Sequence, residues 1–80
     1  MRFSVLSILD KLYEAEAKEV ILPGEDGEVC VMDFHEPFLC RLQKGWIKAK
    51  IENGKGEEEI YIKDGVARMT GNELTVLAEI

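Results

Sequence analysis

The chain has 80 residues, enough for one domain around one small core. Its 46% hydrophobic content argues against disorder, and sixteen acidic against ten basic residues give a formal net charge of -6. That charge disfavours nonspecific nucleic-acid binding and direct adsorption to anionic lipid, both of which need a cationic surface.

The N-terminal stretch from Met1 to Leu6 carries one basic residue and a short apolar run broken by Ser4. Ser7 and Asp10 follow with no small-residue cleavage site, so the stretch does not read as a signal peptide. No apolar run approaches the ~20 residues that cross a bilayer. Phe3 to Ile8 begins with alternation, Phe3 and Val5 against Ser4 and Leu6, and reads as a first strand. Ile8 to Glu19 is rich in helix formers, and Glu14 with Lys18 makes an i, i+4 pair, so propensity favours a helix. A strand is the alternative. Tyr13, Ala15 and Ala17 alternate with Glu14, Glu16 and Lys18, and the run continues into Val20-Ile21-Leu22 without a stop signal.

Beyond Leu22 the turn signals become regular. Pro23-Gly24 and Asp26-Gly27 are turn dipeptides, because proline presets φ and glycine accepts φ > 0. Val29 to Met32 reads as a strand and Asp33 to Pro37 as a loop. Phe38 to Leu42 reads as a short strand or one helical turn, and Lys44-Gly45 turns the chain again. Trp46 to Ile51 alternates cleanly, with Ile47, Ala49 and Ile51 opposite Lys48 and Lys50. Asn53-Gly54 then gives the strongest hairpin signal, leading into Glu59 to Lys63 with Ile60 and Ile62 inward. Asp64-Gly65 reads as a second tight turn, Val66 to Thr70 as a strand, Gly71-Asn72 as a third turn and Leu74 to Ala78 as the last strand. Short strands with turn signals every 8–12 residues point to an all-β sandwich or barrel, one domain over residues 1–80.

The chemistry is concentrated between Ile21 and Leu42, which holds both prolines, both cysteines and the single histidine. Between Pro23 and Pro37 lie Glu25, Asp26, Glu28, Asp33 and Glu36, with no Lys or Arg. His35 is the one imidazole, and no nucleophile elbow or phosphate loop accompanies it, so no catalytic residue is assigned. Cys30, His35 and Cys40 lack the tight C-x₂₋₄-C knuckle of a zinc site, and Glu25 to Glu28 lacks a calcium loop's spacing, so no metal or cofactor is assigned. The two cysteines come without the number and secretion signal of a disulfide framework and read as reduced thiols. Trp46 reads either as a cover on one edge of the core or as a partner anchor, and Tyr13 and Tyr61 as strand residues whose hydroxyls reach water. Glu57-Glu58-Glu59 reads as a solvated strand end.

Leu22-Pro23-Gly24-Glu25-Asp26-Gly27-Glu28 resembles the L-P-G-x-x-G-E turn of the ATP synthase epsilon subunit family, whose mitochondrial equivalent is called delta. Val31, His35, Pro37 and Leu39 match the spacing of that family's G-V-L-P-G-H-A-P-L-L block, and Leu42 and Gly45 its L-K-P-G step. Gly65-Val66 resembles its glycine turn, and Asn72 with Leu74-Thr75-Val76-Leu77-Ala78-Glu79 its closing N-x-V-T-V-L-A-D/E. The departures are Cys30 in place of Gly, Met32-Asp33-Phe34 in place of Leu-Pro-Gly, and Glu36 in place of Ala. They make the loop bulkier and more acidic. The family's C-terminal helical hairpin has no counterpart in these residues, and its properties are not carried over.

The resemblance implies a flattened β-sandwich of about ten short, mainly antiparallel strands, and makes Leu12 to Leu22 a strand. It implies a non-catalytic rotor subunit that joins the gamma subunit to the c-ring and couples proton flow to ATP synthesis. Such a subunit lies peripherally on the cytoplasmic face of a bacterial inner membrane or its equivalent, reaching the membrane only through the complex. In that family the position matching Glu28 contacts the ring loops and His35 lies in the same lower loop region, so the resemblance carries both over as partner-binding. Glu25, Asp26 and Asp33 join them on charge and loop placement. The alternative is a free-standing β-sandwich binding module that uses the same acidic 23–37 segment.

Overall fold

In a computed structural model the chain is described over residues 1–52 and 56–80, and all regular structure there is β. The strands are β1 (Arg2–Leu6), β2 (Lys11–Gly24), β3 (Gly27–Met32), β4 (Phe38–Leu42), β5 (Gly45–Ile51), β6 (Glu57–Ile62), β7 (Asp64–Thr70) and β8 (Glu73–Glu79). The described residues thus form eight strands rather than about ten. One reason is that β2 spans 14 residues and serves both layers.

The first half of β2 pairs with β1, matching Glu16 to Arg2 and Tyr13 to Val5. The second half pairs with β5 on one edge and β3 on the other, matching Ile21 to Lys48 and to Cys30. One layer is therefore β3–β2–β5–β6. The other is β2–β1–β8–β7–β4, and all pairs are antiparallel except β1 with β8. Residues 8–19 are not helical, which corrects the propensity reading. Lys11 to Glu19 are committed to ladders with β1, β3 and β5, and those bonds outweigh a local preference of tenths of a kcal/mol per residue.

The bend in β2 is visible in its burial. Ala17 is inward with Tyr13 and Ala15 half-buried before it, and Val20 and Leu22 are inward after it. Two residues separate Ala17 from Val20, so the alternation shifts phase by one. The ladder with β5 slips between Ala17 and Glu19 at the same place. A bulge of this kind adds twist and redirects the strand, which carries it from one layer to the other. Each strand contributes to a single core, including Phe3, Val5, Leu22, Val31, Ile47, Ile62, Met69 and Val76. Tyr13 tilts over Phe3 with ring centroids 6.0 Å apart, so it is a packing residue more than a solvent-facing one.

Asp64-Gly65 is not a hairpin turn. It opens β7, and β6 and β7 pair with different neighbours, so the bend at Lys63 moves the chain between layers. Gly71-Asn72 is a hairpin turn, with φ of 57° and 58° at its two central residues. Positive φ at both positions is the type I′ geometry that suits the right-handed strand twist. β5 and β6 pair antiparallel from Gly45–Ile62 to Lys50–Glu57, and the Asn53-Gly54 signal between them lies outside the described residues.

The loops gather at two ends of the body. The first end holds Ser7–Asp10, the Gly24–Gly27 turn, Gln43–Lys44 and Lys63, linked through the pairs Gly24–Leu42, Leu42–Gly65 and Gly65–Ala78. The second end holds Met1, the Asp33–Pro37 loop and Gly71-Asn72. Gly24 is fixed at the first end by close packing. A Cβ there would sit 2.5 Å from the Gly27 carbonyl oxygen and 3.1 Å from Val29 Cγ2. Gly24→Ala is therefore expected to lower stability by about 1–3 kcal/mol, seen as a lower denaturant midpoint at unchanged m-value.

Candidate partner-binding site

The Gly24–Gly27 turn carries two of the five predicted site residues, Glu25 and Asp26, and Glu28 follows it at the start of β3. Gly24 pairs with Gly27 and Pro23 with Glu28, which leaves Glu25 and Asp26 alone at the tip. The Glu25 N–H donates to the Arg41 carbonyl at 3.0 Å, and the Gln43 amide donates to the Gly24 carbonyl at 3.2 Å. These bonds hold the turn against β4. Glu25, Asp26 and Glu28 are exposed, and none appears among the side-chain ion pairs of the described residues. They flank a shallow cleft between β3 and β4, with Leu39 and Arg41 on its far side. Arg41 is turned away to a two-pronged pair with Asp64, Nε to Oδ1 at 3.2 Å and Nη2 to Oδ2 at 3.0 Å.

Asp33 and His35 lie elsewhere. β3 separates Gly27 from Met32, and five steps of extended chain amount to roughly 17 Å. The five predicted residues therefore do not share one loop region but form two groups at opposite ends of β3. Asp33 is not a free carboxylate: it accepts from the Met1 amino group, which also donates to the Ala17 carbonyl at 2.8 Å. The His35 N–H closes a turn onto the Met32 carbonyl at 3.2 Å. His35 Nδ1–H donates to the Glu36 carbonyl at 2.9 Å, and the imidazole meets Phe38 edge to face at 5.2 Å. These contacts fix the ring and the backbone of the loop at this position.

Two residues important to this second end went unassigned in the sequence. Phe34 has φ 62°, the left-handed region, and is 81% exposed. Its N–H donates to Asn72 Oδ1 at 2.7 Å, while the Asn72 carbonyl accepts from the Arg2 N–H at 3.2 Å. Asn72 thus joins the β7–β8 turn, the start of β1 and the acidic loop. The Phe34 position is the one where the resembled family's Leu-Pro-Gly supplies glycine. The loop thus carries an aromatic side chain on a backbone conformation that glycine adopts without steric cost.

The cysteines are free, Cys30 exposed and Cys40 half-buried. Desolvation, then the hydrogen bond donated to Glu19 at 3.4 Å and that carboxylate's charge, push the Cys30 thiol above its ordinary value. Burial does the same for Cys40. Neither thiol is poised as a nucleophile. Among the described residues no group of three His, Cys, Asp or Glu side chains converges as a metal site would require.

Other exposed features frame these ends. Trp46, 51% exposed, meets Tyr61 edge to face at 5.3 Å on the outer side of β5–β6, so it does not cover the core. An apolar groove of about 510 Å³ opens at the first end between Leu12, Val66, Leu77 and Ile80. Ile8 and Leu9 stand at its mouth, 91% and 87% exposed, on a turn held by Ser7, whose hydroxyl accepts from the Leu9 and Asp10 N–H groups.

Comparison with known proteins agrees with this architecture. Residues 1–80 match the family described as ATP synthase, delta/epsilon chain, beta-sandwich domain. The ATP synthase epsilon chain of Herminiimonas arsenicoxydans is 32% identical over 79 residues, covering 99% of this chain and 56% of its own length. That of Bordetella parapertussis is 33% identical over the same span and coverage. The chain therefore spans little more than half the length of these relatives. Among solved structures, one chain of the Euglena gracilis mitochondrial ATP synthase superposes with a TM-score of 0.86 at 18% identity, covering 95% of this chain and 48% of that one. One chain of the Tetrahymena thermophila mitochondrial ATP synthase central stalk and c-ring gives 0.80 at 10% identity, covering 100% and 63%. At those identities the superpositions speak to the fold.

Two outcomes follow from the geometry. Phe34→Gly removes a left-handed non-glycine residue that buries little, and is expected to raise stability by about 1 kcal/mol, read as a higher Tm. Glu19→Gln removes the negative charge beside Cys30, and is expected to speed its reaction with a thiol reagent near pH 8, with Cys40 slower in both proteins.

Proposed function

This chain belongs to the ATP synthase delta/epsilon chain family as its β-sandwich domain, and we propose that it serves as a non-catalytic subunit of the central stalk, joining gamma to the c-ring. The observation that carries the reading is the family match across residues 1–80, which covers every strand. A joint that transmits torque needs a stiff body with contacts at separated points. A body of 29 × 24 × 20 Å, with one core shared by two layers and loops at both ends, suits that task.

On this reading the Glu25–Glu28 turn meets the polar loops of the c-ring. Glu25, Asp26 and Glu28 are exposed on a turn made firm by its bonds to β4, and they face outward without a cation bound to them among the described residues. Basic residues on ring loops would complement them. Each such rim pair contributes about 0–1 kcal/mol and acts mainly on orientation and encounter. A ring repeats the contact, so several weak pairs would set the register of the stalk. Asp33 and His35 belong to the opposite end and act by shaping a second contact. The subunit would lie at the membrane surface through the complex; no helix among the described residues is long and apolar enough to cross a membrane.

Glu28→Lys should weaken association of the stalk with the c-ring and uncouple proton flow from synthesis while leaving the Tm of the domain nearly unchanged. Association measured at rising salt should weaken with screening. Normal assembly and pumping by complexes carrying Glu28→Lys, together with salt-independent association, would refute the electrostatic joint. If gamma is missing from native pulldowns, the stalk assignment itself falls.

A further inference from the structure

We propose that Phe34 is an aromatic anchor that seats in an apolar, cation-rimmed socket of the gamma subunit, from the end of the sandwich opposite the Glu25–Glu28 turn. This rests on the stalk reading and adds to it a residue and a contact chemistry.

Two properties of Phe34 are each unfavourable in the isolated domain. A bulky side chain at φ 62° is a backbone outlier, and glycine would satisfy the loop without strain. The ring is also 81% exposed, so it gains little from the domain's own core. Strained residues persist when the surrounding structure holds them, and they cluster where a side chain must be aimed. Phe34 is held in this way. Asn72 Oδ1 accepts its N–H at 2.7 Å, and the Met32–His35 turn closes beneath it. Both bonds fix the backbone and leave the ring free. Such pre-organisation lowers the ordering cost when the ring binds.

The surroundings describe the socket. Met32, 56% exposed at the end of β3, extends the apolar surface. Glu36, exposed and in no ion pair among the described residues, lies two positions beyond Phe34, while Asp33 on the other side is already paired with the Met1 amino group. A complementary surface is therefore apolar at its centre and basic at its rim, and an arginine there could stack on the ring face. The c-ring contacts proposed above lie a strand length away at the far end of β3, roughly 17 Å off, so the anchor addresses the other stalk partner.

The test titrates purified gamma subunit against the native chain and its variants, with Tm recorded for each. The native chain should bind gamma. Phe34→Gly should bind at least about tenfold more weakly while its Tm is equal or higher, because aromatic hot spots carry losses of that size. Phe34→Tyr, which keeps the ring, should stay within about threefold. Asn72→Ala should weaken binding several-fold and Asn72→Asp, which keeps an acceptor for the Phe34 N–H, should restore it. Native-like affinity in Phe34→Gly overturns the anchor and leaves the stalk reading intact. Loss of c-ring association with gamma binding unchanged overturns the choice of partner. If the native chain does not bind gamma, the stalk reading fails and the anchor with it.

Discussion

A strand that belongs to two layers must change direction without losing its hydrogen bonds, and β2 meets that constraint with the bulge at Ala17–Glu19. Its first half is held by β1 and its second by β3 and β5, so the bend near Ala17–Glu19 is clamped on both sides. The phase shift from Tyr13, Ala15 and Ala17 to Val20 and Leu22 keeps apolar side chains inward on either side of it. Were the alternation uninterrupted, one half of β2 would turn its apolar side chains to water. The position of the Gly24 turn, and with it the Glu25–Glu28 group, follows from where the second half of β2 ends.

The same bend explains where sequence reading succeeded and where it did not. β5 could be read directly, because Ile47, Ala49 and Ile51 alternate without interruption. β2 could not, because a phase shift places Tyr13, Ala17 and Val20 at i, i+4 and i+7, the spacing of a helical stripe. Propensity and the Glu14–Lys18 pair favoured a helix, the alternation of Tyr13, Ala15 and Ala17 kept the strand open, and the family resemblance decided for the strand. Asp64-Gly65 was read as a tight turn because that dipeptide looks the same whether the chain reverses within a sheet or passes between layers. Gly71-Asn72 was legible as a turn, but the Asn72 bond to Phe34 joins residues 38 apart and has no local signature.

The candidate site shows the same division. Its acidic composition was legible, and so was the turn that exposes Glu25, Asp26 and Glu28. Its division into two ends was not, because adjacency in sequence hides the length of β3. Composition made Asp33 equivalent to Glu25. The fold makes one a partner of the Met1 amino group and leaves the other at a turn tip. An acidic segment that reads as one surface is thus two surfaces carried at the two ends of one strand.

β1 lies parallel to β8 along its full length, from Arg2–Glu73 to Leu6–Leu77. The first strand can pair with β2 at once, but its other neighbour, β8, comes after the seven other strands. On a ribosome, Phe3 and Val5 emerge early and stay without their β8 partners, Leu74 and Val76, until the last strand follows. Non-local pairing of this kind makes folding slow relative to helical domains of similar size. The interval before closure, when the β8-facing edge of β1 stands open, is when a chain of this topology is exposed to misassembly.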